Sequence, residues 1–388
     1  MEGDFIKINE WLLPFSWLYG LGVGFRNFLF DVGLLKSRAY KIPIIAVGNI
    51  TVGGTGKTPH VEYLLRLLQG KLRVAVLSRG YKRKSRGYVE AGRDTPVDMI
   101  GDEPYQMKKK FPNATIAVDS KRTRGIDRLM LKENDRDRVD VILLDDAFQH
   151  RYVKPGVNIL LVDYHRLVIY DKLLPAGRLR ESLSGKNRAD IVIVTKCPKE
   201  LKPMEYRVIT KAMNLYPYQS LYFSCIDYEP LKPVFAEAQP RQQLDASENI
   251  LLLTGIASPR QMLEDLSPQV KSVTPLVFAD HHRFTANDVK RLNEAFHSMQ
   301  APKRIITTEK DAARLAGLQG LSDDVRRHLY LQPVRVSLML DQEESFNQSI
   351  LGYVSKNSRN SILANSSSRR LRSPESQPGK PRTIVFTR

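Results

Sequence analysis

The residues of this chain best suited to chemistry lie in the turn Thr51-Val52-Gly53-Gly54-Thr55-Gly56-Lys57-Thr58, where a lysine and a hydroxyl directly follow a run of glycines. Glycines let successive backbone N–H groups converge on an anion, and a helix starting behind them turns its positive end to the same point. Lys57 would then reach the β and γ phosphates of a nucleoside triphosphate, and Thr58 would place its hydroxyl on Mg²⁺. The strict G-x-x-x-x-G-K-[ST] spacing is not met, because Thr51 stands five residues before Gly56. The turn is therefore a variant phosphate loop, with an ordinary strand-to-helix turn as the competing reading.

Further polar groups end other apolar runs. Asp145-Asp146 follows Val-Ile-Leu-Leu, the form of a magnesium-binding carboxylate pair, and spacing does not say which of the two touches the metal. Asp102 in Gly-Asp-Glu-Pro has two readings. It caps a helix with Glu103 and Pro104 in the first turn, or it accepts the proton of an attacking alcohol. Asp280-His281-His282 makes a poor metal site, since adjacent side chains on an extended chain point apart. One histidine reaching a site competes there with surface exposure of both. The basic stretch from Arg79 to Gly87 reads as a solvated charge run or as a clamp for an anionic acceptor.

The elements that must position these groups follow from periodicity. Ile42, Ile44, Ile45 and Val47 form an apolar run that stops at Gly48, and Val61, Leu64, Leu65 and Leu68 resume at helical offsets, so the loop joins a strand to a helix. Near-continuous apolar runs at 73–77, 139–144, 158–162 and 190–194 have the look of strands covered on both faces. Each ends in a polar cluster, and in a doubly wound sheet such ends surround the ligand. A second strand series begins near Asn249. These features predict an α/β chain: an N-terminal helical segment over 1–40, a phosphate-loop domain with a doubly wound parallel sheet over 41–225, a connection over 226–248, a smaller α/β domain over 249–356 and a tail over 357–388. The tail carries seven basic residues against one acidic and lacks the apolar content to order itself.

The chain has 388 residues, 42% of them apolar, enough for a sizeable core in about two domains. A net charge of +18 predicts an anionic partner without saying which. Cys197 and Cys225 have no metal-ligand spacing and give no disulfide framework, which fits a reducing cytosolic setting. Between Glu10 and Arg26 run fifteen uncharged residues holding both tryptophans, short of the roughly 20 apolar residues of a membrane span. They lack a basic leader and a cleavage site. Two readings remain. Trp11, Phe15, Trp17, Leu18 and Tyr19 enter a lipid headgroup boundary with Arg26, Lys36, Arg38 and Lys41 meeting anionic lipid, or the helix packs on the protein's own core.

Seven stretches, GNITVGGTGKTP, LSRGYKRKSRG, GDEP, LLDDAFQHR, LLPAGRLRE, FADHHRF and TTEKDA, stand in the order in which they occur in the tetraacyldisaccharide 4'-kinase (lipid A 4'-kinase) family of Gram-negative bacteria. The resemblance runs from about Trp11 to about Tyr353. Thr51 is also how that family departs from the strict loop pattern, whereas Ala147 and Arg178 replace its usual glycine and proline. The resemblance implies two α/β domains with the site between them, and ATP- and Mg²⁺-dependent phosphorylation of the 4'-hydroxyl of a tetraacylated glucosamine disaccharide 1-phosphate. It places the work at the cytoplasmic face of the inner membrane, with peripheral attachment through the N-terminal helix; the sequence leaves the oligomeric state open, with a monomer favoured. It further implies that Thr51, Gly53, Gly54, Thr55, Gly56, Lys57 and Thr58 hold the nucleotide, and that Asp145, Asp146 and Glu181 join Thr58 on the metal side. Asp102 is the implied base, paired with His281, with Glu103, Arg79, Arg122, Gln149 and His150 nearby. A membrane-associated ATPase or GTPase switch is the rival, but Thr195-Lys196-Cys197-Pro198 lacks the Asn-Lys-x-Asp of a guanine reader. No helicase or recognition motif supports nucleic-acid binding.

Overall fold

The computed structural model of the chain describes residues 8–131, 138–240, 243–256, 259–280 and 282–370, with side chains through Asn357. Its larger sheet is built from β1 (Ile44–Gly48), β2 (Val74–Ser78), β3 (Val89–Glu90), β4 (Thr115–Val118), β5 (Val141–Asp145), β6 (Val157–Asp163), β7 (Ile191–Thr195) and β8 (Ser220–Tyr228). The second sheet holds β9 (Lys232–Pro233), β10 (Asn249–Thr254), β11 (Ser272–Val277), β12 (Lys303–Thr308) and β13 (Leu329–Gln332), after which β14 (Val334–Leu338) returns to the first. The strand order is β14-β8-β7-β6-β1-β5-β2-β4-β3 in one sheet and β11-β10-β12-β13-β9 in the other. Only the edge strands β3, β14 and β9 pair antiparallel.

Burial on both faces explains the continuous apolar runs. Ile45 and Val47 of β1 join the core under the phosphate-loop helix (Lys57–Gln69) and the C-terminal helix (Glu343–Arg370), while Ile44 and Ala46 meet Ile126 and Leu129 on the opposite face. The phosphate-loop helix buries Val61, Leu64, Leu65 and Leu68 completely. At about 2 kcal/mol each, those four side chains contribute about 8 kcal/mol before entropy is charged. In the second sheet Leu251 and Leu253 face Leu292 and Phe296, and Ile250 and Leu252 face Met262 and Leu266.

Three observed elements cross the segment limits expected from sequence. β8 runs to Tyr228, beyond the expected limit at 225. Second, β14 pairs with β8 (Leu338 opposite Ser224), and Phe346, Ile350 and Val354 pack on the larger sheet. Finally, the C-terminal helix extends past 356 to Arg370.

The N-terminal helix (Leu13–Asp31) lies against the Leu173–Glu181 segment. Ser16 Oγ donates to Leu173 O at 2.9 Å and accepts from Ala176 N, and Tyr19 donates to Arg180 O. At 100° per residue, Phe15, Trp17, Leu18, Leu21, Phe25 and Phe28 fall within roughly 160° of the circumference, all exposed, and Trp11 in the turn before them is exposed as well. Tyr19 and Arg26 point inward instead, Arg26 donating to Gln149 O and lying over Phe30, and Arg38 pairs with Asp127. Among the described residues no helix is long and apolar enough to cross a membrane.

Candidate active site

β1 ends at Gly48 because the Phe148 backbone and Cβ press on it; a Cβ there would sit 2.7 Å from that of Phe148. The loop that follows turns through Gly53 (φ 119°) and Gly56 (φ 79°), the left-handed region where glycine is favoured. It is held from behind. Asn49 donates to Thr55 Oγ1 at 2.8 Å, buried Thr195 donates to Thr55 O at 3.0 Å, and the next segment is laced to it by Val52 N to Arg178 O and Arg180 N to Ile50 O. The helix starts at Lys57 with Thr58 and Pro59 in its first turn. Loop and helix start face a cavity of about 830 Å³, a size suited to a nucleotide.

Asp145 ends β5 beside Val47 of β1 and accepts from Ser78 Oγ at 3.1 Å. Its other carboxylate oxygen is buried with no partner among the described residues. Burial, then the charges of Glu103 and Asp146, raise its pKa above the ordinary carboxylate value. Asp146, at φ 48°, turns toward Lys57 (3.6 Å) and Arg180 (3.3 Å). Burial pushes its pKa up, but Lys57, Arg180 and Arg122 outweigh that and hold it low. An unpartnered carboxylate oxygen next to the ionised carboxylate of Asp146 is chemistry that fits a divalent cation.

Arg122 lies beneath this pair, its guanidinium donating to the backbone oxygens of Asp119 (2.8 Å) and Asp145 (2.9 Å); burial lowers its pKa to about 10. His150 is driven down to about 4, by burial first and then by the Arg122, Arg26 and Arg79 charges. Arg79 is exposed at the cavity wall.

Glu181, which the resemblance puts on the metal side, lines the same cavity as Thr58 and Asp146. It is buried, with Arg188 at 2.7 Å on one oxygen and Gln149 Nε2 at 3.0 Å on the other, and it reaches Asp146 only by way of Gln149 and Arg180. Among the described residues no three acidic, histidine or cysteine side chains gather in metal-binding geometry.

The opposite wall comes from the second domain through Asp280, Thr308, Glu309 and Lys310. The helix Asp102–Lys110 runs antiparallel to Glu309–Leu315, joined by Asp102 to Arg314, Glu103 to Lys310 (3.5 Å) and Lys110 to Glu309 (2.9 Å). Acidic and basic ends thus face basic and acidic ends, as the helix dipoles favour. Lys110 also neutralises the buried Glu62 of the phosphate-loop helix. Glu103 lines the cavity, whereas the Asp102 carboxylate is drawn to Arg314 and does not. Asp102 is the first helical residue, with Gly101 as cap, so it is not itself the cap. His281 lies outside the described residues; His282 stacks on Phe278 and pairs with Asp288, the capping partner of Thr285.

Arg180 lies in the LLPAGRLRE stretch and Lys310 in TTEKDA, while Arg314 lies outside both, and spacing alone marks none of the three as a site residue. Thr195 supports the loop from below, and Lys196 lines the cavity while paired with Asp163 at 2.7 Å.

A sequence model described as tetraacyldisaccharide-1-P 4'-kinase matches residues 8–355. A tetraacyldisaccharide 4'-kinase of Phocaeicola vulgatus is 56% identical over 364 residues, covering 93% of this chain and 99% of its own. That of Bacteroides thetaiotaomicron is 52% identical, covering 94% and 98%. The crystal structure of LpxK from Aquifex aeolicus in complex with ATP superposes with a TM-score of 0.67 at 30% identity, covering 89% of this chain and 99% of that one. The chain belongs to the tetraacyldisaccharide-1-P 4'-kinase family.

Proposed function

We propose that this protein transfers the γ-phosphoryl group of ATP to the 4'-hydroxyl of a tetraacylated glucosamine disaccharide 1-phosphate, a step of lipid A biosynthesis. The observation that carries this reading is one cavity shared by the Gly56-Lys57-Thr58 loop, Asp146, the N-terminal helix and Asp280, Thr308, Glu309 and Lys310. A nucleotide, an alcohol and a lipid-facing helix can meet there.

Phosphoryl transfer asks the protein chiefly for positioning and charge neutralisation. The loop amides and Lys57 grip the phosphates. Thr58, Asp145 and Asp146 would hold Mg²⁺, which when bound neutralises charge on the phosphate oxygens. Arg180 and Lys57 keep Asp146 ionised and aimed inward, and Arg122 fixes the backbone under the pair. Glu181, Gln149 and Arg188 brace the N-terminal helix against this floor through Asn27. Asp102 takes the proton of the 4'-hydroxyl, with His281 as the partner that the resemblance implies. A second reading gives the proton to Glu103, because Glu103 lines the cavity and Asp102 is held by Arg314.

The outward apolar face of the N-terminal helix would rest in the headgroup region of the inner membrane's cytoplasmic leaflet, attached peripherally. A single chain carries every group named here, which favours a monomer.

Purified protein given γ-labelled ATP, Mg²⁺ and the disaccharide 1-phosphate glycolipid in detergent should place label on the lipid, and Lys57→Ala should abolish transfer while remaining folded. ATP hydrolysis without label on the lipid would instead support the switch reading.

A further inference from the structure

His60 takes no part in the chemistry above, yet its ring is buried in the first turn of the phosphate-loop helix. Its Nδ1 lies 2.7 Å from the carbonyl oxygen of Gly56, and its Nε2 lies 3.0 Å from Oγ of Ser224 on β8. A carbonyl can only accept, so Nδ1 carries the proton and donates. The neutral ring then presents a lone pair at Nε2, and the Ser224 hydroxyl donates to it. Each partner fixes the role of the other, and the tautomer follows from this pairing.

The consequence lies on the other side of the peptide. The Gly56 carbonyl and the Lys57 N–H belong to one planar trans unit and point in opposite directions. Drawing the oxygen inward turns the N–H outward, toward the cavity where a phosphate would sit. The helix's own backbone provides a weaker hold, since the His60 N–H reaches the same oxygen only at 3.3 Å. The ring also supports the loop by contact: a Cβ placed on Gly56 would lie 3.6 Å from Nδ1, so no gap remains beneath the left-handed glycine. Through Ser224, opposite Leu338 of β14, the loop is tied to the two strands by which the chain leaves for the second domain and returns.

We propose that His60 is a positioning residue for the phosphoryl donor, holding the Gly56–Lys57 peptide so that its N–H faces the nucleotide, with Ser224 holding the imidazole in the tautomer that does this. The proposal rests on the reading that this loop binds ATP.

The test is equilibrium binding of ATP to the full chain by calorimetry, together with KM for each substrate. His60→Leu removes the donor and should weaken ATP binding about tenfold or more, since the carbonyl loses a buried partner. The KM for glycolipid should stay nearly unchanged. His60→Asn can place an amide N–H close to the position of Nδ1 and should recover most of the affinity. Ser224→Ala, the mildest change, should cost about threefold in ATP affinity as the tautomer loses its anchor. Undiminished ATP affinity in folded His60→Leu overturns the proposal, as does an equal loss in His60→Leu and His60→Asn that extends to the glycolipid KM. Should His60→Leu fail to fold, Ser224→Ala decides alone, and unchanged affinity overturns the proposal. Failure of the parental protein to bind ATP would overturn the proposed function itself, whereas parental binding with indifferent variants would overturn only the role of His60.

Discussion

Replacing Trp17, Leu18 and Leu21 together by glutamine should release the protein from anionic phospholipid vesicles without disabling its site. These side chains are 70%, 67% and 71% exposed on the outward face of the N-terminal helix. Each would be worth about 2 kcal/mol on full burial, so two-thirds of that for three side chains is about 4 kcal/mol, roughly a thousandfold in partitioning. Glutamine is a good helix former, so the helix itself should persist. None of the three lines the cavity, and the inner face holds its position through Ser16, Tyr19 and Asn27. Vesicle co-sedimentation at fixed salt measures the loss, and transfer to glycolipid dispersed in detergent serves as the control for an intact site. Co-sedimentation equal to that of the parental protein would refute the assignment of this face to lipid. Loss of activity in detergent as well would refute the separation of anchoring face from catalytic face.

Two further predictions concern the floor and far wall of the cavity. Arg314→Gln leaves the carboxylates of Asp102 and buried Asp311 without their shared guanidinium, and should lower kcat by about tenfold or more at unchanged ATP KM, with partial recovery in Arg314→Lys. An unchanged kcat in steady-state assays would rule out a role for the pair in setting the site. Asp145 has its pKa raised in the folded state, so the folded chain binds more protons than the unfolded one, and this group costs stability as pH rises through its raised value. Metal-free Asp145→Asn protein should therefore melt several degrees above the parental protein at neutral pH and no higher near pH 4, by scanning fluorimetry in chelator. A lower melting temperature for the variant at neutral pH would contradict the burial argument.

Much of the site could be read in the residues because its parts are local. A strand buried on both faces needs apolar residues throughout, so β1, β5, β6 and β7 stand out, and the polar residues at their carboxyl ends mark where a ligand sits. The glycine-rich turn likewise declares its conformation. Long-range pairings left no such mark. β14 has the same composition in either sheet, and only its pairing with β8 returns it to the first domain. Glu181 looks like any other carboxylate until Arg188 is found on it, and the direction of Asp102 depends on Arg314, more than two hundred residues away in sequence. The N-terminal helix was ambiguous for a related reason: its polar inner face has meaning only against the Leu173–Glu181 segment it touches.

Single-turnover phosphoryl transfer by Asp102→Asn and Glu103→Gln, compared side by side at saturating ATP, puts the proposed mechanism most directly at risk. With Asp102 as the base, Asp102→Asn should fall by about a thousandfold or more at unchanged ATP affinity, while Glu103→Gln loses far less. The reverse order, with near-parental transfer by folded Asp102→Asn, would contradict that mechanism and give the proton to the carboxylate that lines the cavity.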